Sequence, residues 1–262
     1  MARFFASETF AQDDAARLVL PLIGTGKLTL VMDRTNWRLG QYDHNILVIG
    51  VLFAGYAVPL VWEVLDHGGA SSTTARVALL DRLLKVLPSK RIQVLLADRE
   101  FVGHDWFVAL EKRRLKRCIR IRDDTLLDDI AVRDAFANLQ AGEVRGLLER
   151  ELVYGTKMQV VATLFEEGER VVIASDLSMF DTRAAYRNSW SVECTFSAYK
   201  LRGLNLEATH MTDAARLATL VGLLTVAFVW ALLVGLAREQ EAPVQLKGHG
   251  RKAKSAFLYG LD

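Results

Sequence analysis

The chain has 262 residues, 51% hydrophobic and 24% charged, enough to bury a sizeable core without staples. A formal net charge of +2 does not by itself announce a nucleic-acid protein, so any anionic partner must be met by local clusters. Two cysteines, Cys118 and Cys194, exclude a disulfide framework and lack metal-ligand spacing; they read as buried thiols. The first fourteen residues carry acids and no long apolar run, which excludes a secretory signal.

In chain order, residues 3–22 read as a helix ending near Pro21 and Gly24. Lys27–Met32 is a strand running straight into Asp33. Ile46–Phe53 and Ala57–Leu65 are two more strands around a tight turn at Ala54-Gly55-Tyr56, giving a hairpin, or a meander if the first strand joins it. Ser71–Leu87 is a helix stopped by Pro88. Ile92–Ala97 is almost wholly apolar, as a strand buried on both faces should be, and ends at Asp98. A helix over His104–Arg114 and a strand over Cys118–Ile121 follow. The later strands alternate with helices, which predicts parallel crossovers. From Asp123 to about Phe180 the texture turns to short strands, as for an insertion or a second β-rich lobe. Asp181 or Thr182 caps a predicted helix running to Arg202, and Gly203 suits its end. Thr212 caps the last long helix, and the tail from Pro243 is polar and glycine-rich.

That last helix holds Leu217–Ala237, 21 residues without a charge, bounded by Arg216 and Arg238. The length suffices for a membrane span. Its Thr, Gly and Ala content favours the central helix of a soluble domain, with a span as the alternative.

Two basic clusters could meet phosphates: Lys112, Arg113, Arg114, Lys116, Arg117, Arg120 and Arg122, and then Arg251, Lys252 and Lys254. Each reads equally well as a solvated face. Gly24-Thr25-Gly26-Lys27 is not a phosphate loop: it lacks the first Gly and the Ser/Thr after Lys, and it precedes a strand. The five histidines are scattered without ligand spacing.

The candidate chemistry lies in three carboxylates. Asp33 and Asp98 each follow an apolar strand, where a carboxylate opens into the crevice of an α/β sheet. If the strands are neighbours, the pair can share a hard divalent ion. Tyr186, Glu193 and Lys200 recur every seven residues, one stripe on a continuous helix.

The segments Asp33–Trp37 (DRTNW), Ala97–Phe101 (ADREF) and Tyr186–Gly203 (YRNSWSVECTFSAYKLRG) resemble the three signature regions of the insertion-sequence-four transposase family. The resemblance runs from about residue 3 to 262. It implies an α/β fold, an RNase H-like mixed sheet flanked by helices, with a β-rich insertion between the second Asp and the Glu. The implied layout is a residual helical segment at 1–26, core at 27–122, insertion at 123–180 and core helices at 181–262. It implies a DDE transposase that cleaves DNA and transfers strands at insertion-sequence ends. Asp33, Asp98 and Glu193 would be catalytic and hold two Mg²⁺ ions, with Mn²⁺ able to substitute. Tyr186 and Lys200 would bind DNA phosphates. The partners would be transposon-end and target DNA and a second copy in a synaptic homodimer, in the bacterial cytoplasm at the nucleoid, with no membrane.

Two departures stand out. Ser189 occupies the arginine position of the third region, and serine cannot grip a phosphate bidentately. Only 32 residues precede Asp33, too few for the N-terminal DNA-binding domain of the family. The sequence is therefore also compatible with a truncated copy, a late start codon or a natural short form. A truncated, catalytically impaired regulator that binds DNA or a transposase is the alternative function.

Overall fold

The computed structural model describes residues 12–39, 42–200, 203–209, 211–248, 250 and 252–262. In chain order its elements are α1 (Gln12–Val19), β1 (Leu28–Leu39), β2 (Tyr42–Phe53), β3 (Tyr56–Leu65), α2 (Thr73–Leu84), β4 (Ile92–Ala97), α3 (His104–Lys112) and β5 (Arg117–Ile121). Then come β6 (Leu126–Leu127), β7 (Ile130–Ala131), α4 (Val132–Ala135), β8 (Val144–Gly146), β9 (Glu151–Val153), β10 (Thr156–Leu164) and β11 (Arg170–Ser175). The chain closes with α5 (Met179–Tyr186), α6 (Ser191–Lys200), α7 (Ala214–Glu241) and α8 (Ala256–Leu261).

The strands form a large mixed sheet in the order β3-β2-β1-β4-β5-β11-β10-β8, with β9 paired to β10. β4 is parallel to both β1 and β5, as the strand–helix alternation predicts. This is the RNase H-like arrangement that the resemblance implies. Two compact units share the chain. One takes in α1, Arg34–Gly69 and Ser191–Asp262; the other takes in Gly26–Asp33 and Ala70–Trp190. Strand β1 runs through both.

In the first unit, β2 and β3 form a two-residue hairpin. Ala54 and Gly55 both have positive φ (49° and 83°), the mirror-image turn that matches strand twist. Helix α7 packs on β3, α1 and α8, and the indole Nε1 of Trp62 donates to the Ala218 carbonyl at 3.0 Å. Two glycines set the α7–α8 approach: a Cβ at Gly235 would lie 1.8 Å from the Ala256 carbonyl oxygen, and one at Gly260 1.7 Å from that of Ala231. By length and composition α7 could cross a membrane. It buries Leu217, Val221, Phe228 and Leu232 on one side, and Trp230 on another side is 71% exposed. The helix expected to be buried against the core is, among the described residues, covered chiefly on one side.

In the second unit, β11 pairs antiparallel with β5 and carries β10 and β8 outward. The β-rich stretch after Asp123 is thus stitched onto the core sheet, while β6 and β7 make a ribbon of their own. The seam is pinned by a buried ion pair. Arg117 Nε donates to Asp176 Oδ2 at 2.7 Å and Nη2 to Oδ1 at 2.8 Å. Its Nη1 reaches the Phe107 carbonyl at 3.0 Å and Thr156 Oγ1 at 3.1 Å. Every guanidinium nitrogen finds an acceptor, which a charge in this setting requires.

Several boundaries differ from those read in the sequence. Strand β1 continues past Asp33 to Leu39 because Thr35 and Trp37, at strand spacing, are both buried. The helix expected from Asp181 to Arg202 is two helices. Ser178, whose hydroxyl accepts from the Asp181 amide, caps the first. A 3-10 turn at Arg187–Trp190 then separates α5 from α6. The carboxamide of Asn188 donates to the Ala184 carbonyl at 3.3 Å, competing for an acceptor that a continuing α-helix would use. Asp213, one residue after the expected Thr212, caps α7. The expected polar tail ends in α8, capped by Ser255.

Candidate active site

Asp33 and Asp98 come together through strand register. Met32 faces Ala97 across the parallel β1–β4 pair, so the next residue on each side is an aspartate. Neighbouring parallel strands lie about 4.8 Å apart, and equivalent positions point to the same face. Asp33 is half-buried within β1. Asp98 stands just beyond β4 with its side chain 50% exposed. Two carboxylates at adjacent register positions could offer hard oxygen ligands to a divalent ion such as Mg²⁺ or Mn²⁺, with substrate phosphate and water completing the shell. Among the described residues, no group of three or more His, Cys, Asp or Glu side chains could hold a metal. The pair by itself could supply only part of a ligand set.

The loop after Asp98 is held by a residue that sequence patterns did not single out. The Asp98 carbonyl accepts from the Phe101 amide at 2.9 Å, and Phe101 is fully buried. Arg76, itself only 4% exposed, lies over the Phe101 ring at 5.0 Å. Its Nη2 donates to the carbonyls of Ser71 (2.7 Å) and Glu100 (2.9 Å), and its Nε to Ser71 Oγ (2.9 Å). Burial lowers the Arg76 pKa, an effect the Glu100 carboxylate partly offsets. A signal existed: Arg76 falls on the stripe of Leu80, Leu83 and Leu87, a charge where the helix is otherwise apolar.

Arg120, near the end of β5, is the second residue not singled out. Its Nη2 donates to Glu169 Oε1 at 2.7 Å, and its Nε lies 3.9 Å from Asp98 Oδ1. It also acts electrostatically on the Tyr186 phenol. Burial pulls the Arg120 pKa down, but the Glu169 hydrogen bond and the Asp98 and Glu169 carboxylates outweigh it, and the net shift is upward. Tyr186, the last residue of α5, is pushed up to about 12 by burial first and by Asp98 next, with Arg120 opposing. Its hydroxyl therefore stays protonated and can act as a donor. The structure thus brings Tyr186, Arg120 and Asp98 into one electrostatic group.

Glu193 and Lys200 lie seven residues apart on α6, which is fastened within its own unit. Thr195 Oγ1 accepts from the Ala57 amide at 2.9 Å and donates to the Ser191 carbonyl at 3.1 Å. Trp37 meets Phe196 and Tyr199, both at 6.4 Å between ring centroids. Burial raises the pKa of Tyr199, and its phenol donates to Thr225 Oγ1 at 3.0 Å. On the other side of the helix Glu193 is exposed, and Lys200 Nζ donates to the Asn36 carbonyl at 3.0 Å. The expected single stripe joining Tyr186 to Glu193 and Lys200 loses its basis, because the 3-10 turn changes rise and rotation between them. The side chain of Ser189 lies outside the described residues.

The long basic run proves to be several things. Arg113 is tied to Asp81 and Arg117 is the buried pin. Arg114 and Lys116 stand at the start of β5, and Arg120 and Arg122 at its far end. Of the C-terminal cluster, Lys252 pairs with Glu239 and Lys254 with Asp262; Arg251 lies outside the described residues. Cys118 is buried, and burial raises its thiol to about 12. Cys194 is half-buried and also free.

A transposase DDE domain family model matches residues 24–230, most of the chain. The chain belongs to the transposase DDE domain family. No curated protein matches it in sequence. Among solved structures, it is similar to the piggyBac transposase in the cryo-EM structure of its synaptic complex with hairpin DNA. The TM-score is 0.52 at 13% identity, over 90% of this chain and 51% of that one. This DDE domain chain therefore spans about half the length of that transposase, and the likeness concerns the fold. Endonuclease V from Bacillus subtilis aligns at 11% identity over 77% of this chain and 96% of that chain, with a TM-score of 0.37, too low to bear on the argument.

Proposed function

We propose that this chain is the catalytic part of a DNA transposase of the insertion-sequence-four kind, acting on the ends of its element and on target DNA. The observation that carries the reading is the in-register pair Asp33 and Asp98, within a chain that belongs to the DDE domain family. Glu193 is the third carboxylate the reading requires. The three would hold two divalent cations, Mg²⁺ or Mn²⁺. When bound, such ions activate a water or a 3′-hydroxyl and stabilise the departing oxygen. Attack would form a new P–O bond as the bond to the leaving 3′ oxygen breaks; the nucleophile's proton passes to solvent, and the leaving oxygen takes one from solvent. Tyr186, a protonated donor, and Lys200 grip phosphates and fix the register of the strand without reading its bases. Arg120 orients Asp98 and Tyr186. Two copies of this soluble, cytoplasmic chain pair the two element ends at the nucleoid.

The test is cleavage of labelled DNA carrying the element's own ends with Mn²⁺, native chain against Glu193→Gln. Metal-dependent nicking that the substitution abolishes is the expected result. A folded chain that binds these ends and never cuts them would overturn the catalytic reading. It would favour the second one, a DNA-binding regulator, for which Ser189 at the motif's arginine position is the supporting observation.

A further inference from the structure

Two basic cavities lie at opposite ends of β5. One, about 670 Å³, gathers Lys27, Lys90, Arg114 and Lys116 at the start of the parallel strands. The other, about 530 Å³, gathers Arg99, Arg120, Arg122, Arg133 and Arg170 at their far end, beside Asp98, with Asp123 and Asp124 on its wall. The second is the more telling because its charges are unevenly matched. Arg120 is held by Glu169 and Asp98. Arg170 faces Asp123 at 3.8 Å, and Arg133 faces Asp134 at 3.8 Å. Arg99 and Arg122 are exposed and make no ion pair with any described residue. Arg170 also keeps its Nε–H buried without an acceptor among the described residues.

We infer that this arginine cavity is a phosphate-binding subsite for the nucleic-acid strand whose scissile bond lies at Asp98. Arg99 and Arg122 are its principal contacts, and Arg170 is the guanidinium behind them. The inference rests on the DNA-cleaving function proposed for the chain. Guanidinium groups suit phosphate because their donors are forked and always charged. Among the described residues no aromatic side chain lines the cavity, so nothing there stacks on a base; the subsite takes backbone and is indifferent to sequence. Arg99 follows Asp98 directly, so a strand seated at the carboxylates continues into the cavity. Asp123 and Asp124 limit how much anion it attracts, which suits a site that must release product.

The experiment is equilibrium binding of the full chain to a labelled DNA duplex, without divalent metal, across a salt series. Removing one phosphate-neutralising cation lowers the slope of log K against log salt by about 0.9. Arg99→Gln/Arg122→Gln is expected to lower the slope by roughly 2, with Arg99→Lys/Arg122→Lys close to the native value. Exposed Lys85 and Lys157 provide the control: Lys85→Gln/Lys157→Gln removes equal charge elsewhere and should leave the slope unchanged. A native slope in the glutamine pair, or an equal fall in the control, overturns the subsite while leaving the catalytic reading intact. Retention of inorganic phosphate by the native chain but not by the glutamine pair, with an unchanged duplex slope, assigns the cavity to a small anion and also overturns it. A native chain that binds no duplex at any salt overturns both readings.

Discussion

Asp33 and Asp98 are carried by strands, and Glu193 by a helix, and the two regions are built differently. Around the aspartates, β1, β4 and β5 fix position by register, so their spacing is set by backbone hydrogen bonds before any side chain packs. The same sheet carries a polar pin, Arg117–Asp176, with almost no solvent. Helix α6 has no such lattice. It begins after a 3-10 turn and, among the described residues, is held by side chains alone: hydrogen bonds of Thr195 with the Ala57 amide, Tyr199 with Thr225 and Lys200 with the Asn36 carbonyl, and aromatic packing with Trp37. The strand region should be rigid until its seam fails as a whole. The helical region should loosen by degrees.

The largest expected effect comes from breaking the seam. Arg117→Ala strips Asp176 of the guanidinium, leaving it the residue-117 backbone amide, and frees acceptors on Phe107 and Thr156. Removing one member of such a pair costs about 3–5 kcal/mol. Chemical denaturation should show that loss as a lower midpoint with an unchanged slope. A cost under about 1 kcal/mol, as for an exposed pair, would mean that the strands alone hold the site.

Thr195→Val is the matching test on the helix. It removes the hydroxyl that accepts from the Ala57 amide, leaving a buried donor unmet. The expected cost is about 1–3 kcal/mol. If α6 loosens locally, amide exchange should rise along Ser191–Lys200 more than along β4. Equal loss of protection in both places would contradict this difference between strand and helix.

The same contrast explains what could be read in the sequence. Ile92–Ala97 announces a doubly buried strand by composition alone, and its end at Asp98 follows. The hairpin turn is marked by Gly55. These signals are local, and the site's two aspartates inherit their clarity. The break before α6 depends on Asn188 turning back to Ala184, and Asn is acceptable enough in a helix that no pattern forecasts the choice. Arg120 was visible only as one of a run of basic residues. Its position by Asp98, Glu169 and Tyr186 comes from non-local pairing of β5 with β4 and β11, which spacing cannot supply. The apolar stretch of α7 shows length and composition but not which side is covered.

The smallest expected effect lies on the outside of the strand region. Arg113 binds Asp81 in a fork, Nε to Oδ1 at 2.6 Å and Nη2 to Oδ2 at 2.7 Å, joining the end of α3 to α2. The Arg113 hydrogen bond holds the Asp81 carboxyl below its ordinary pKa. A depressed folded-state pKa stabilises the fold above the unfolded value, near 3.9, and that contribution is lost as pH falls through the folded value. Asp81 is 48% exposed, so solvent screens the pair, and its worth is at most about 1 kcal/mol. Asp81→Asn should therefore lower stability slightly at neutral pH, and less at high salt. As pH falls below the unfolded value and through the depressed folded one, the variant and the native chain should converge, because the native carboxyl then loses its charge as well. A difference that persists undiminished into that acid range would show that Asp81 acts by packing, and that the helices over the sheet share its rigidity through contacts other than charge.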